Sequence, residues 1–271
     1  MALLHVNFFS DVLGMSMNMD VILPQETKGQ IGMKGRTREG KIPSLYLLHG
    51  MSDDHTIWQR RTSIERYVSQ MGIAVIMPCV HLSFYTNMVH GLPYWDYISE
   101  ELPSLCQNFF PQLSARPEDN FAAGLSMGGY GAWKLALGKP ERFGAAASLS
   151  GALDMAAEYR EERDPAKKRL WADIFGSPQE LEGSDNDLLA LAARRSREGG
   201  ALPPLYAWCG QEDFLYAHNC RARDVVRGLG FDLTWEESHG GHLWECWDEM
   251  VQRVLAWLPL KERKTDQENR D

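Results

Sequence analysis

Residues 121–138 read FAAGLSMGGYGAWKLALG, and the fold is decided there. The run 121–124 is short, apolar and continuous, as in a strand covered on both faces, and 127–138 has the period of a helix. Between them Gly124-Leu125-Ser126-Met127-Gly128 forms a G-x-S-x-G string. Alone that string is unspecific, because small residues recur by chance; a strand before it and a helix after it supply the context it requires. A strand-to-helix turn this tight leaves no room for a Cβ at 124 or 128, and it lifts Ser126 above the sheet on strained backbone. The competing reading is a glycine-rich turn with a capping serine.

Outward from this turn the same alternation repeats. Apolar runs at 45–49, 73–77, 145–149 and 204–208 join the one at 121–124, with a last strand at 231–235. Helix-period segments at about 60–71, 95–109, 127–138, 217–229 and 244–257 separate them. Strands alternating with helices imply βαβ units and a parallel sheet covered on both faces. The first 23 residues differ: 3–13 and 15–23 alternate about a Leu13-Gly14 turn, with Met15, Met17, Met19 and Val21 on one face. That pattern reads as an antiparallel hairpin. The expected architecture is therefore a mixed, mostly parallel sheet with an antiparallel hairpin at its N-terminal edge. Residues 25–43, rich in Gly, Lys, Arg and Thr, read as an exposed loop. Residues 153–200 break the rhythm with charge clusters and a small apolar patch; they read either as a lid or as a pair of surface helices. The tail 261–271 (KERKTDQENRD) reads as disordered.

The chain has 271 residues and a net charge of −9. Its length suits one α/β domain, and such a chain needs neither disulfide nor metal to hold a core. The acidic balance argues against nucleic acid or an anionic membrane as partner. Five cysteines without a CxxC pair suggest reduced thiols and a cytoplasmic location. The N-terminus lacks a basic region and reads poorly as a signal peptide, and no apolar stretch approaches the length of a membrane span. The oligomeric state, a homo-oligomer included, stays open.

A serine hydroxyl attacks only when a base takes its proton. In chain order the base should be a histidine downstream, oriented by a carboxylate between the two. Of eight histidines, three lie beyond Ser126: His218, His239 and His242. His218 sits in a helix-like run and reads as a surface residue. His239 and His242 share the glycine-bounded loop after the last strand; His242, directly before the final helix, is the preferred base. Asp213 stands at the C-terminal end of a strand, where ligand sites of parallel sheets occur, and is preferred over Asp154 and Asp232. Glu212 is adjacent but should point elsewhere. An oxyanion hole needs two backbone N–H groups, expected from Met127 and from Met51 in the loop Leu47-Leu48-His49-Gly50-Met51. His49 is expected to pack beneath that loop. Histidines at HExxH-type spacing are absent, so neither a metal nor another cofactor is expected.

The stretches LLHGMSDDHTIW, AGLSMGGYGAWKLAL, SGAL, WCGQEDFL and GGHLWECW resemble the tributyrin esterase group of bacterial serine esterases. That group lies in the esterase D-like branch of the α/β-hydrolases, beside S-formylglutathione hydrolases, feruloyl and acetylxylan esterases and mycolyltransferases. The resemblance runs from the N-terminal hairpin to about residue 260. It implies an α/β-hydrolase fold over residues 1–260 and is weakest over 153–200, which keeps its reading as a lid or cap insertion or as surface helices. By motif it assigns the triad to Ser126, Asp213 and His242, and the donors to Met51 and Met127. In S-formylglutathione hydrolases Ser and Tyr follow the catalytic histidine; here Leu243 and Trp244 follow it.

These readings imply hydrolysis of short-chain acyl esters through an acyl-Ser126 intermediate, with acylated carbohydrates among the candidate substrates. The partner expected is a small-molecule ester. Aromatics of 81–97 (Phe84, Tyr85, Tyr94, Trp95, Tyr97), with Trp58 and Trp244, are candidates for the pocket wall, and Trp58, Tyr85 and Trp244 lead among them. The rivals are a thioesterase or acyltransferase on the same triad, and a catalytically silent binding protein on the same fold.

Overall fold

The computed structural model describes residues 1–260; the tail expected to be disordered, 261–271, lies outside the described residues. Eight strands form one sheet: β1 (Ala2–Ser10), β2 (Met15–Leu23), β3 (Ser44–Leu48), β4 (Ala74–Pro78), β5 (Asn120–Leu125), β6 (Ala145–Leu149), β7 (Leu205–Gly210) and β8 (Leu233–Ser238). Their order across the sheet is β1-β2-β4-β3-β5-β6-β7-β8. β1 pairs antiparallel with β2, and β2 with β4; every later pair is parallel. The expected edge hairpin and parallel centre are both present.

Eleven α-helices among the described residues surround the sheet: α1 (Ile57–Arg61), α2 (Ile64–Val68), α3 (Tyr94–Asp96), α4 (Leu102–Phe109), α5 (Met127–Gly138), α6 (Met155–Glu161), α7 (Pro165–Phe175), α8 (Pro178–Leu181), α9 (Leu188–Glu198), α10 (Tyr216–Gly228) and α11 (Trp244–Trp257). Alternate residues of each central strand feed opposite cores. In β3, Leu45 and Leu47 join Trp58 of α1, Val68 of α2 and Val254 of α11 on one face. Tyr46 and Leu48 join Trp133 of α5 and the remaining helices on the other. Both faces of the central strands β3 to β7 are thus dry, which is why these strands read as unbroken apolar runs.

Three elements differ from the sequence reading. The single helix expected at 60–71 is two, because Thr62 is fully extended (φ −136°, ψ 172°). The helix expected at 95–109 contains a π-helical stretch, Tyr97–Glu101. And 153–200 holds four helices whose Trp171, Ile174, Phe175, Leu181, Leu188 and Ala192 are buried in the same core as the sheet. The Phe175 ring packs on Phe84 and Tyr130 at 5.5 and 6.2 Å, and the Val89 and His90 N–H groups donate to Ile174 and Asp173 carbonyls. Among the described residues no helix is long and apolar enough to cross a membrane.

Candidate active site

Ser126 follows the C-terminal residue of β5 and precedes α5, with φ 51° and ψ −118°, a region that costs a non-glycine residue energy. The turn is as tight as the motif implies. A Cβ on Gly124 would stand 2.4 Å from the Gly128 carbonyl oxygen, and one on Gly128 would stand 2.4 Å from that of Leu48. The strain is held by neighbours: Ser126 N–H donates to Leu149 of β6 at 2.9 Å, and the Ser126 carbonyl accepts from Tyr130 and Ala152.

Asp213 lies in the turn after β7 and His242 in the loop between β8 and α11. The two loops are pressed together; a Cβ on Gly210 would meet the Gly240 carbonyl oxygen at 2.1 Å, and Glu212 N–H donates to that same carbonyl. The Asp213 carboxylate is wholly buried. One oxygen accepts the Leu215 N–H at 2.9 Å, and the other accepts from His242 Nδ1 at 2.9 Å. With Nδ1 so engaged, Nε2 is the nitrogen left for proton transfer. The imidazole is held between two rings, Phe214 at 4.6 Å and Trp247 at 4.8 Å, the latter edge-on. Trp247 donates in turn to Ser150 Oγ at 3.2 Å, just past the end of β6. Ser126, Asp213 and His242 therefore all stand beyond the C-terminal ends of the parallel strands β5, β7 and β8, with β6 between the first two, where parallel sheets place their sites. Ser126 is half-buried.

The rival candidates go elsewhere. His239 is exposed and pairs with Glu212 at 2.9 Å, whose hydrogen bond raises the imidazole pKa above its ordinary value. Asp154 caps α6 and binds Arg221, and Asp232 is exposed outside β8. His218, expected at the surface, is buried, with Nε2 3.2 Å from Glu161; its place on the inner face of α10 beside Asn219 explains the error.

Met51 and Met127 are placed to offer backbone N–H groups. Met127 opens α5, so its N–H has no intrahelical carbonyl to reach. Neither N–H is taken by another group among the described residues. The loop carrying Met51 is braced from below. His49 is buried, its Nε2 accepts the Val80 N–H at 3.0 Å, and its Nδ1 meets the Gly50 carbonyl at 2.8 Å. Burial draws its pKa down to about 4, so it stays neutral and structural, as expected.

Two of the three favoured pocket aromatics have a different role. Trp58 and Tyr85 are 0% exposed and offer a ligand no surface. Trp58 donates to the Leu48 carbonyl and Tyr85 to that of His49, at 2.9 and 2.8 Å; they hold the Met51 loop. Trp244 is half-buried and stacks edge-on against both Trp58 and Trp247. The exposed apolar groups around the site are Met51, Phe214 and Leu243. Sequence reasoning missed Phe214, Trp247 and Ser150; the first was legible only as the residue after Asp213. Among the described residues no cluster of His, Cys, Asp or Glu is built to hold a metal.

A family model described as "Putative esterase" matches residues 10–258. An acetyl esterase of Caldicellulosiruptor saccharolyticus is 29% identical over 95% of this chain and 98% of its own. A substrate-bound fluorophosphonate-binding serine hydrolase of Staphylococcus aureus superposes with a TM-score of 0.84 at 34% identity, covering 96% of this chain and 99% of the other. An S-formylglutathione hydrolase of the same organism gives 0.81 at 35% identity over the same shares. Strand order, a strained serine between strand and helix, and relatives that match end to end all agree: this chain belongs to the esterase family, has the α/β-hydrolase fold and is a serine carboxylesterase.

Proposed function

We propose that the chain hydrolyses short-chain acyl esters, acetyl esters foremost, with Ser126 as nucleophile, His242 as base and Asp213 as its orienting carboxylate. The observation that carries the reading is the 2.9 Å bond from His242 Nδ1 to a buried Asp213 oxygen, in a sheet that also holds a serine on strained backbone at the C-terminal end of β5. The hydrogen bond from Ser126 to Nε2 closes when substrate binds; such bonds are commonly long in free enzymes. His242 takes the Ser126 proton as Oγ bonds to the carbonyl carbon. The charge gathering on the carbonyl oxygen is received by the Met51 and Met127 N–H groups. His242⁺, steadied by Asp213, returns the proton to the departing alcohol oxygen, leaving acyl-Ser126. Water repeats the sequence and frees the acid.

The acetyl substrate follows the acetyl esterase relative, and membership of the tributyrin esterase group follows the motifs quoted above. The partner is a small-molecule ester, with acylated carbohydrates a candidate class and with neither nucleic acid nor membrane involved. No cofactor enters the scheme. Five free thiols favour a cytoplasmic setting. Ser126→Ala should cut turnover of a p-nitrophenyl acetate-type ester by about 10⁴–10⁶-fold; near-normal turnover would overturn the triad. Fluorophosphonate labelling should map to the Ser126 peptide.

A second reading is thioester hydrolysis, favoured by the S-formylglutathione hydrolase at 35% identity. Comparing S-formylglutathione with acetyl esters of rising chain length separates the two.

A further inference from the structure

Lys134 is buried in α5 and takes no part in the chemistry above. It makes no salt bridge among the described residues; instead its ammonium donates to three neutral acceptors. These are the Tyr85 carbonyl at 3.2 Å, Thr86 Oγ1, and Asn186 Oδ1 at 2.7 Å. Its ammonium also lies 4.5 Å from the centre of the Trp95 ring. Burial draws its pKa down to about 7, so the protein bears a cost to keep this group where it is.

The acceptors come from two distant pieces of chain. Asn186 belongs to the 153–200 segment, between α8 and α9; its Oδ1 also accepts from Thr86 Oγ1 at 2.6 Å, and its carbonyl accepts from Tyr130 of α5 at 2.7 Å. Tyr85 and Thr86 lie in the turn after β4. Tyr85 has φ 53°, its ring rests where a Cβ on Gly131 would stand at 2.5 Å, and its hydroxyl holds the His49 carbonyl. His49 is two residues from Met51. A continuous chain of hydrogen bonds therefore runs from the segment, through Lys134 and Tyr85, to the loop that presents the Met51 N–H.

We propose that Asn186 and Lys134 are positioning residues for the oxyanion hole, so that the 153–200 segment serves the site as a brace on the Met51 loop. The proposal rests on the function assigned to Met51 above. A donor misplaced by a fraction of an ångström loses worth in the transition state while ground-state binding is little changed. The effect should therefore appear in kcat.

The test compares Asn186→Leu, which removes the acceptor at similar volume, with Asn186→Asp, which keeps it. Each is titrated with a fluorophosphonate taken to completion, so that rates refer to folded sites. Asn186→Leu should lose about 10- to 100-fold in kcat on a short acyl ester with KM within about twofold, a fraction of the loss for deleting a donor outright. Asn186→Asp should stay within about threefold of the parent. Thr86→Val, nearly isosteric, should shift kcat in the same direction and keeps the test open if Asn186→Leu fails to fold. Unchanged kcat in both Asn186→Leu and Thr86→Val, or a loss confined to KM, overturns the brace. If Ser126→Ala retains turnover, the triad falls instead, which is a separate outcome.

Discussion

The His242 imidazole is caged on two sides, by a Trp247 that is itself anchored to Ser150 and by a Phe214 that is 68% exposed. A large apolar ring left in water does not stabilise the fold by burial; on the proposed mechanism its worth lies in holding the imidazole plane. Phe214→Ala should weaken the transition state by about 0.5–1.5 kcal/mol, the worth of one aromatic contact. In kcat/KM for an acetyl ester that is roughly 2- to 13-fold; unchanged kinetics would make the ring ornamental. The strained turn at Ser126 and the pairing of Asp213 with His242 could be anticipated because the proposed chemistry demands particular residue types in a particular order. Trp58 and Tyr85 were misread because an aromatic side chain in a loop looks the same whether it faces ligand or props the loop from beneath. Their Nε1 and hydroxyl groups find backbone carbonyls, a pairing that depends on the folded path of residues 48–49 and leaves no local trace.

Among the elements, α5 and β3 are fitted to each other with no tolerance. Gly128 faces the Leu48 and His49 carbonyl oxygens, and a Cβ there would stand 2.4 and 2.7 Å from them. Backbone cannot give way as a side chain tip can. Gly128→Ala should destabilise the protein by about 1–3 kcal/mol and depress activity further by shifting the Met51 loop, read by urea denaturation and initial rates; parent-like values in both would refute the fit. The hairpin, the central strands and the helices α5 and α11 were readable because each carries its own period. The π-helical stretch Tyr97–Glu101 was not, since one turn of wider helix leaves no period of its own in the sequence. It delivers the Glu101 carboxylate to the β1–β2 turn, where it accepts from the Ser10 hydroxyl and from the Asp11 and Val12 N–H groups. The last residue of the stretch thus binds a hairpin some ninety residues upstream.

Across the whole molecule, buried ionisable groups set opposing pH responses. Burial lowers the His49 pKa to about 4, so its contribution to stability is fully present above its unfolded value near 6.5 and is lost as pH falls through 4. Glu158 behaves in the reverse sense: burial raises its carboxyl to about 7. That contribution is fully present below about 4.5 and is lost as pH rises through 7. Glu158→Gln should therefore gain stability relative to the parent as pH climbs from 4.5 to 7, by at most about 3 kcal/mol, measured as the difference in denaturation midpoints at several pH values. A difference independent of pH would place Glu158 in contact with water. The insertion 153–200 was the part least readable in sequence, because its apolar residues are spread thinly and show their purpose only when gathered against Phe84 and Tyr130.

The order in which the site's parts occur along the chain has a consequence for biosynthesis. The strained turn at Ser126 is held by β3, β5, β6 and α5, while His242 follows more than a hundred residues later. At about 5–20 residues per second, a ribosome exposes the serine well before it has made the histidine. During that interval the growing polypeptide carries the proposed nucleophile without the proposed base. On the proposed mechanism, acylation is withheld until α11 seats Trp247 against His242, so the final helix would be the step that completes the site.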